Sequence, residues 1–171
     1  MEKIKTFIRN IPNHPKPGIQ FKDLTPLLLD PRAFEATIDK IVELAKELRV
    51  EAIGAFDARG FWFAPSVAMK LSVGWFPMRK PGKLPAEVVT ETYALEYGHD
   101  TLAMHKDAVA PGTRVLLIDD VLATGGTMRA GITLVEAIGG VVVGVITVIE
   151  LEGLAGREKL TTYNVQSLIT Y

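Results

Sequence analysis

Two adjacent carboxylates followed by glycines and threonines are residues that could do chemistry together. In VLLIDDVLATGGT, residues 115–127, Asp119 and Asp120 end an apolar run, and Ala123, Thr124, Gly125, Gly126 and Thr127 follow. Ionised carboxylates only accept hydrogen bonds, which suits a vicinal diol. Glycines let backbone N–H groups approach a ligand closely, and a helix start favours an anion. Thr124 and Thr127 add hydroxyl donors. The stretch thus has the parts to seat a sugar phosphate, with the phosphate on the turn and the ring hydroxyls on the aspartates. A turn of this kind alone could equally be a threonine-capped helix start; the aspartates before it weigh against that. Neither GxxxxGK[ST] nor GxGxxG is present, so the nucleoside-triphosphate loop and the dinucleotide fingerprint are missing.

Two other apolar runs also end in charge. IGAFDARG carries Asp57 and Arg59, and GWFPMRK carries Arg79 and Lys80. Open α/β sheets bind ligands outside the carboxyl ends of their strands. If these three runs are neighbouring parallel strands, six charged residues of both signs meet at one edge. Such an edge suits a ligand with anionic groups at its ends and hydroxyls between them.

The elements that must position these residues can be read from the pattern. Residues up to Pro31 look irregular, punctuated by Pro12, Pro15, Pro17 and Gly18. Asp30 and Pro31 make a helix start, and Phe34, Ile38, Ile41, Val42, Ala45 and Leu48 recur at helical spacing behind it. A strand is expected in VEAIGAFD, a helix in FWFAPSVAMKL with Pro65 in its first turn, and a strand in VGWFPMRK. Residues 81–100 alternate between turn-forming ends and predict a hairpin or a mobile flap. Strands follow in TLAMHKDAV and VLLIDD. A helical stripe from Met128 through Ile132, Val135 and Ile138 stops at Gly139 and Gly140. VVVGVITVI reads as a strand buried on both faces, GREKL as a short helix and NVQSLITY as a last strand. Alternating strands and helices predict an α/β fold, a mostly parallel twisted sheet flanked by helices.

Composition narrows the classes. A chain of 171 residues fits one domain, 1–171, with a substantial core. A net charge of −1 argues against a broad nucleic-acid or membrane footprint. The absence of cysteine excludes thiolate catalysis and cysteine zinc sites, and it suits a cytoplasmic location. No apolar run is long enough to span a bilayer, and MEKIKTFIRN has no apolar core of a signal peptide.

VLLIDDVLATGGT resembles the phosphoribosyl-diphosphate (PRPP) signature of the type I phosphoribosyltransferases. PKPGIQFKDLTPLL, DARGFWFAPSVA, RKPGKLP, LEYGHD, HKDAVAPGTRVLLIDDVLATGGT and GREKL occur in the order seen in the adenine branch of that family. The resemblance implies a sheet with a small hood (about residues 1–30) and a mobile flap (about 81–103). It implies synthesis of AMP and pyrophosphate from adenine and PRPP. Ala123, Thr124, Gly125, Gly126 and Thr127 would hold the 5-phosphate, and Asp119 and Asp120 the ribose hydroxyls. Pyrophosphate would fall to Asp57, Ala58, Arg59 and Gly60, in a loop that often contains a cis peptide. Arg79, Lys80, Lys83 and His105 would add to that site. Adenine would lie on Phe21 and be read by backbone groups of Ile19, Gln20 and Lys22. Arg59, Lys83 and Glu96 would be the catalytic residues, with Glu96 contacting the purine N7. Mg²⁺ would arrive on PRPP, close to Asp119 and Asp120, with no direct protein site. The only partners implied are these small molecules and a second copy in a homodimer.

Some positions depart from the pattern. Ala58 stands where serine is frequent and Lys22 where arginine is; Gln20 replaces a small apolar residue and could widen the choice of purine. Alternative readings are less well supported. A signalling receiver needs an acceptor aspartate on a later strand, and none follows Asp120. A non-catalytic PRPP sensor would be expected to lose LEYG or PGIQFKD. A hypoxanthine, guanine or xanthine enzyme usually has a lysine after the glycine turn, where Met128 and Arg129 stand here.

Overall fold

The computed structural model of the protein describes residues 2–94 and 98–171. A short helix α1 (Glu2–Lys5) precedes a hairpin, β1 (Arg9–Pro12) and β2 (Gln20–Asp23), and then α2 (Thr25–Leu29) and α3 (Pro31–Ala45). The first thirty residues are therefore more ordered than their sequence pattern implied. Strands of four residues and a helix of five carry too little periodicity to be read locally. Pairing fixes them instead. Arg9 meets Asp23 at 2.6 Å across the hairpin, and Asp23 also accepts from the Thr25 amide at 2.9 Å, joining the hairpin to α2.

Helix α3 begins as its cap predicts, with Asp30 Oδ1 accepting from the Ala33 amide at 2.8 Å; such a cap contributes about 1 kcal/mol. Its apolar stripe buries Ile38, Ile41 and Ala45. Next come β3 (Ala52–Phe56), a 3-10 turn (Arg59–Trp62), α4 (Ala64–Leu71) and β4 (Gly74–Met78). Pro65 falls in the first turn of α4. A second hairpin, β5 (Val88–Ala94) with β6 (His99–His105), occupies the region read as hairpin or flap. The chain ends with β7 (Arg114–Leu122), α5 (Gly126–Ala137), β8 (Val141–Glu150), a 3-10 turn over GREKL (Gly156–Leu160) and β9 (Val165–Thr170).

The main sheet has five strands in the order β4-β3-β7-β8-β9, and every neighbouring pair is parallel. From β3 the chain moves outward to β4, whereas from β7 it moves the other way to β8 and β9. The direction reverses between β3 and β7, which makes their carboxyl ends the expected ligand crevice. Strand side chains alternate between two cores. Ile53, Ala55, Leu116 and Ile118 pack with α3 and α4, while Ala52, Phe56, Val115 and Leu117 pack with α5 and the second hairpin. Each fully buried isoleucine, leucine, valine or phenylalanine here stabilises the fold by about 1.5–3 kcal/mol. No helix among the described residues is long and apolar enough to cross a membrane.

Candidate active site

All three charged strand ends arrive together, because β4, β3 and β7 are adjacent and parallel. At the end of β3 the Asp57–Ala58 peptide bond is cis. The Asp57 amide donates to the Met78 carbonyl at 2.9 Å, which fixes the start of the loop to β4. The Asp57 carboxylate accepts from Arg79 Nε at 2.9 Å and lies 3.5 Å from Lys83 Nζ. The Arg79 hydrogen bond, with the Lys83 charge, holds Asp57 below its ordinary value despite some burial. Arg79 also donates to the Lys83 carbonyl at 3.0 Å, and its backbone bridges to Ala103 on β6. Lys80 pairs with Asp100 of the same hairpin at 3.0 Å. Asp57 thus organises two cations, and its side chain does not itself face an anion unaccompanied.

The acidic pair differs in setting from the sequence expectation. Strand β7 runs through both aspartates to Leu122, because β8 continues alongside it to Glu150. Asp120 is consequently buried, at 3% exposure, where an open strand end was expected. On the other flank β3 pairs only as far as Ile118, so the two aspartates extend beyond it into the cleft. Asp119 Oδ1 accepts from the Asp120 amide at 2.8 Å. Arg59 Nε lies 2.9 Å from Asp120 Oδ2, yet that oxygen is buried and makes no hydrogen bond in line. Burial pushes Asp119 well above the ordinary carboxylate range, and the charge of Asp120 adds to the push. Burial raises Asp120 too, against the pull of Arg59. Gly60 lets the Arg59 turn lie on β7: a Cβ there would be 2.8 Å from the Ile118 carbonyl oxygen.

Beyond the aspartates, Gly125 takes φ +75° as the residue capping α5, and Gly126 and Thr127 form the first turn. Tyr93, from the end of β5, lies over this turn. A Cβ on Gly126 would be 3.2 Å from its ring, and Thr127 Oγ1 donates to its hydroxyl at 3.2 Å. Nothing in the alternating TETYA run marked Tyr93, since its role depends on the hairpin folding against α5. Two cavities of about 200 Å³ each meet at this point. One is lined by the Asp57 loop, Arg79, Lys80 and Tyr93, the other by residues 121–128; both are bounded by Arg59, Asp119, Asp120 and Thr127.

The first hairpin carries Phe21, whose ring lies 5.4 Å beneath the Arg59 guanidinium and meets His14 edge-on at 5.0 Å. Alternation puts Gln20 and Lys22 on the opposite face of β2 from Phe21. There Asn10 donates to Gln20 Oε1 at 2.8 Å, and Lys22 Nζ sits 3.9 Å from the Tyr171 ring. The Gln20 amide is thus engaged by Asn10, on the face of β2 away from Phe21. Ile19 uses its N–H and C=O in the loop, to Lys16 and His14. His105 lines neither cavity; its Nε2 accepts from the Ala86 amide at 3.4 Å, at the far end of the hairpin. Glu96, with Leu95 and Tyr97, lies outside the described residues.

No group of three or more histidine and acidic side chains is gathered for a metal among the described residues. Asp119 and Asp120, where the two cavities join, are the carboxylates that would lie nearest an ion carried in by a phosphate ligand.

A model of the phosphoribosyl transferase domain matches residues 28–170. The chain is 52% identical to the adenine phosphoribosyltransferase of Kosmotoga olearia, covering 98% of this chain and 99% of the relative. It is 51% identical to that of Solibacter usitatus, over 100% and 99%. Among solved structures, the adenine phosphoribosyltransferase of Thermoanaerobacter pseudethanolicus superposes with a TM-score of 0.97 at 49% identity, covering 99% of each chain. The Saccharomyces cerevisiae enzyme, crystallised with an imino-altritol bisphosphate and adenine, superposes at 0.92 with 37% identity, covering 98% of this chain and 97% of that one.

Proposed function

The chain belongs to the adenine phosphoribosyltransferases, and from that premise we propose how its cleft joins adenine to the ribose 5-phosphate of PRPP. It is a purine-salvage transferase that converts adenine and PRPP to AMP and pyrophosphate. One observation carries the assignment of roles: the two cavities share the Asp119–Asp120 pair, with cations on one side and the glycine turn on the other. A ligand with phosphate at one end, a diol in the middle and diphosphate at the other end matches that order.

The 5-phosphate sits on the amides and hydroxyls of Ala123, Thr124, Gly125, Gly126 and Thr127 at the head of α5. Asp119 and Asp120 accept from the ribose hydroxyls. The diphosphate lies against the amides of the Asp57–Gly60 loop and the cations Arg59, Arg79, Lys80 and Lys83, of which Arg79 and Lys83 are held ready by Asp57. As the bond from C1 of the ribose to the diphosphate oxygen breaks, its electron pair leaves with the diphosphate, and these cations stabilise the growing charge. The ribose becomes oxocarbenium-like. Adenine N9, held against Phe21 on the opposite face, supplies the electron pair of the new bond to C1, and its proton passes to solvent water. Most of the acceleration comes from positioning and electrostatics. Asp119 and Asp120 would be the carboxylates nearest a magnesium ion carried on the diphosphate, which would add to the neutralisation of the leaving group when bound.

The decisive experiment is a parallel assay with adenine, hypoxanthine, guanine and xanthine, each with PRPP, with and without Mg²⁺. AMP and pyrophosphate are expected from adenine alone and only with the metal. Turnover of a 6-oxopurine at a comparable rate, or no pyrophosphate with any base, would refute this reading. The same proposal places the enzyme in the cytoplasm as a homodimer. Exposed Met69 on α4 (82%) and Trp75 on edge strand β4 (38%) support a contact between copies. A monomer in light scattering, or a non-cytoplasmic fraction from cells, would count against those two points.

A further inference from the structure

The GREKL stretch has no part in the chemistry above, yet its backbone touches the phosphate turn. Gly156 is buried, and a Cβ built on it would lie 2.0 Å from the Ala123 carbonyl oxygen and 2.8 Å from the Gly125 amide nitrogen. Conversely, a Cβ on Gly125 would lie 2.4 Å from the Gly156 carbonyl oxygen. The two glycines meet backbone to backbone. Gly125 also has a positive φ, whereas Gly156 is not among the positive-φ glycines, so at Gly156 the demand is for space alone.

The neighbouring residue holds Gly156 in place. Arg157 Nε donates to Glu150 Oε1 at 2.9 Å, Nη2 donates to Glu150 Oε2, and Nη1 donates to the Val165 carbonyl at 2.6 Å. Glu150 is 5% exposed and is the last residue of β8. The Leu151 amide then donates at 2.9 Å to the carbonyl of Leu122, the residue immediately before Ala123. The contacts close a ring through the end of β7, the turn, Gly156, Arg157 and the end of β8.

We propose that Gly156, clamped by the Arg157–Glu150 pair, is a positioning residue that sets the spacing of the amides receiving the 5-phosphate. The proposal rests on the reading of residues 123–127 as the phosphate seat. A methyl group at position 156 would push the Ala123 carbonyl and the Gly125 amide by roughly 1 Å, a displacement that can cost on the order of a hundredfold at a reacting centre.

The test compares ligands that do and do not carry the 5-phosphate. Gly156→Ala is expected to weaken AMP binding and raise KM for PRPP by about tenfold or more, with KM for adenine unchanged. Arg157→Met, which leaves the turn itself untouched, is expected to move AMP affinity in the same direction by less; Arg157→Lys should restore part of the loss. If Gly156→Ala does not fold, the Arg157→Met series reads the same quantity. AMP and PRPP affinities equal to wild type in the folded variants, or losses shared equally by adenine, would overturn the proposal while wild-type AMP binding upholds the phosphate seat. Wild-type protein that binds no AMP would instead overturn the seat itself, and the proposal with it.

Discussion

Asp57 and Asp120 are carboxylates in one cleft, each with an arginine Nε at 2.9 Å from its Oδ2, yet their electrostatic states are opposite. Arg79 donates to Asp57 in line, Lys83 adds its charge, and the Asp57 side chain keeps 15% exposure; its pKa falls. Arg59 approaches Asp120 off line, the Asp120 side chain is only 4% exposed, and Asp119 stands beside it; burial dominates and its pKa rises. Equal separation is therefore not equal pairing. Hydrogen-bond direction and desolvation decide whether an arginine satisfies a buried carboxylate. Asp57 is already satisfied and serves as a clamp for cations. Asp120 keeps an oxygen that no donor in the fold satisfies in line.

The sharpest way to break this contrast is Asp120→Asn. It removes an acceptor for ribose and a poorly paired buried charge. AMP affinity should fall about a hundredfold, near 3 kcal/mol, while the melting temperature of the ligand-free protein at neutral pH stays level or rises. A large drop in melting temperature with normal AMP affinity in calorimetry would place Asp120 with Asp57 as a structural anion.

Asp57→Asn should do the reverse at smaller amplitude. Losing a charge-assisted hydrogen bond costs about 1–2 kcal/mol of stability. With Arg79 and Lys83 no longer gathered, kcat/KM for PRPP should fall about tenfold. Chemical denaturation and steady-state kinetics on one preparation measure both. A stability gain would contradict the clamp.

The smallest effect is a pH dependence with opposite signs. Asp23, Asp57, Asp100 and Glu150 have lowered values, so the stability they contribute is present above their ordinary pKa and is lost as pH falls through the folded value. Asp119 and Asp120 are raised from 3.8, so the folded state holds more protons and stability falls as pH rises from about 3.8 through their folded values. The melting-temperature advantage of an Asp119→Asn, Asp120→Asn double variant should therefore grow as pH rises above about 4 and shrink below it. A pH-independent difference in thermal melts would show that the pair is not desolvated as described.

Much of the site could be read along the chain. The acidic pair, the glycine turn, the Asp30 cap and the apolar strand runs are local patterns, and the structure puts the pair on β7, the turn at the head of α5 and the cap on α3. The burial of Asp120 was not legible, because it depends on β8 continuing beside β7 to Glu150. The β1-β2 hairpin was missed for a related reason: its strands are four residues long, and what orders them is a pair between Arg9 and Asp23. His105 was implied by the resemblance, but its register opposite Val88 carries it away from the cleft.

The sequence by itself pointed to residues whose chemistry suits a sugar phosphate and to the longer strands and helices, since side-chain chemistry and apolar period are properties of neighbours in the chain. Only the tertiary structure decided that β3 and β7 meet at the reversal of strand order. It also decided that Arg79 serves Asp57, that Tyr93 covers Gly126, and that Gly156 backs Gly125. These relations join residues far apart in sequence. They follow from how sheet and helices pack around a shared core, which no local pattern encodes.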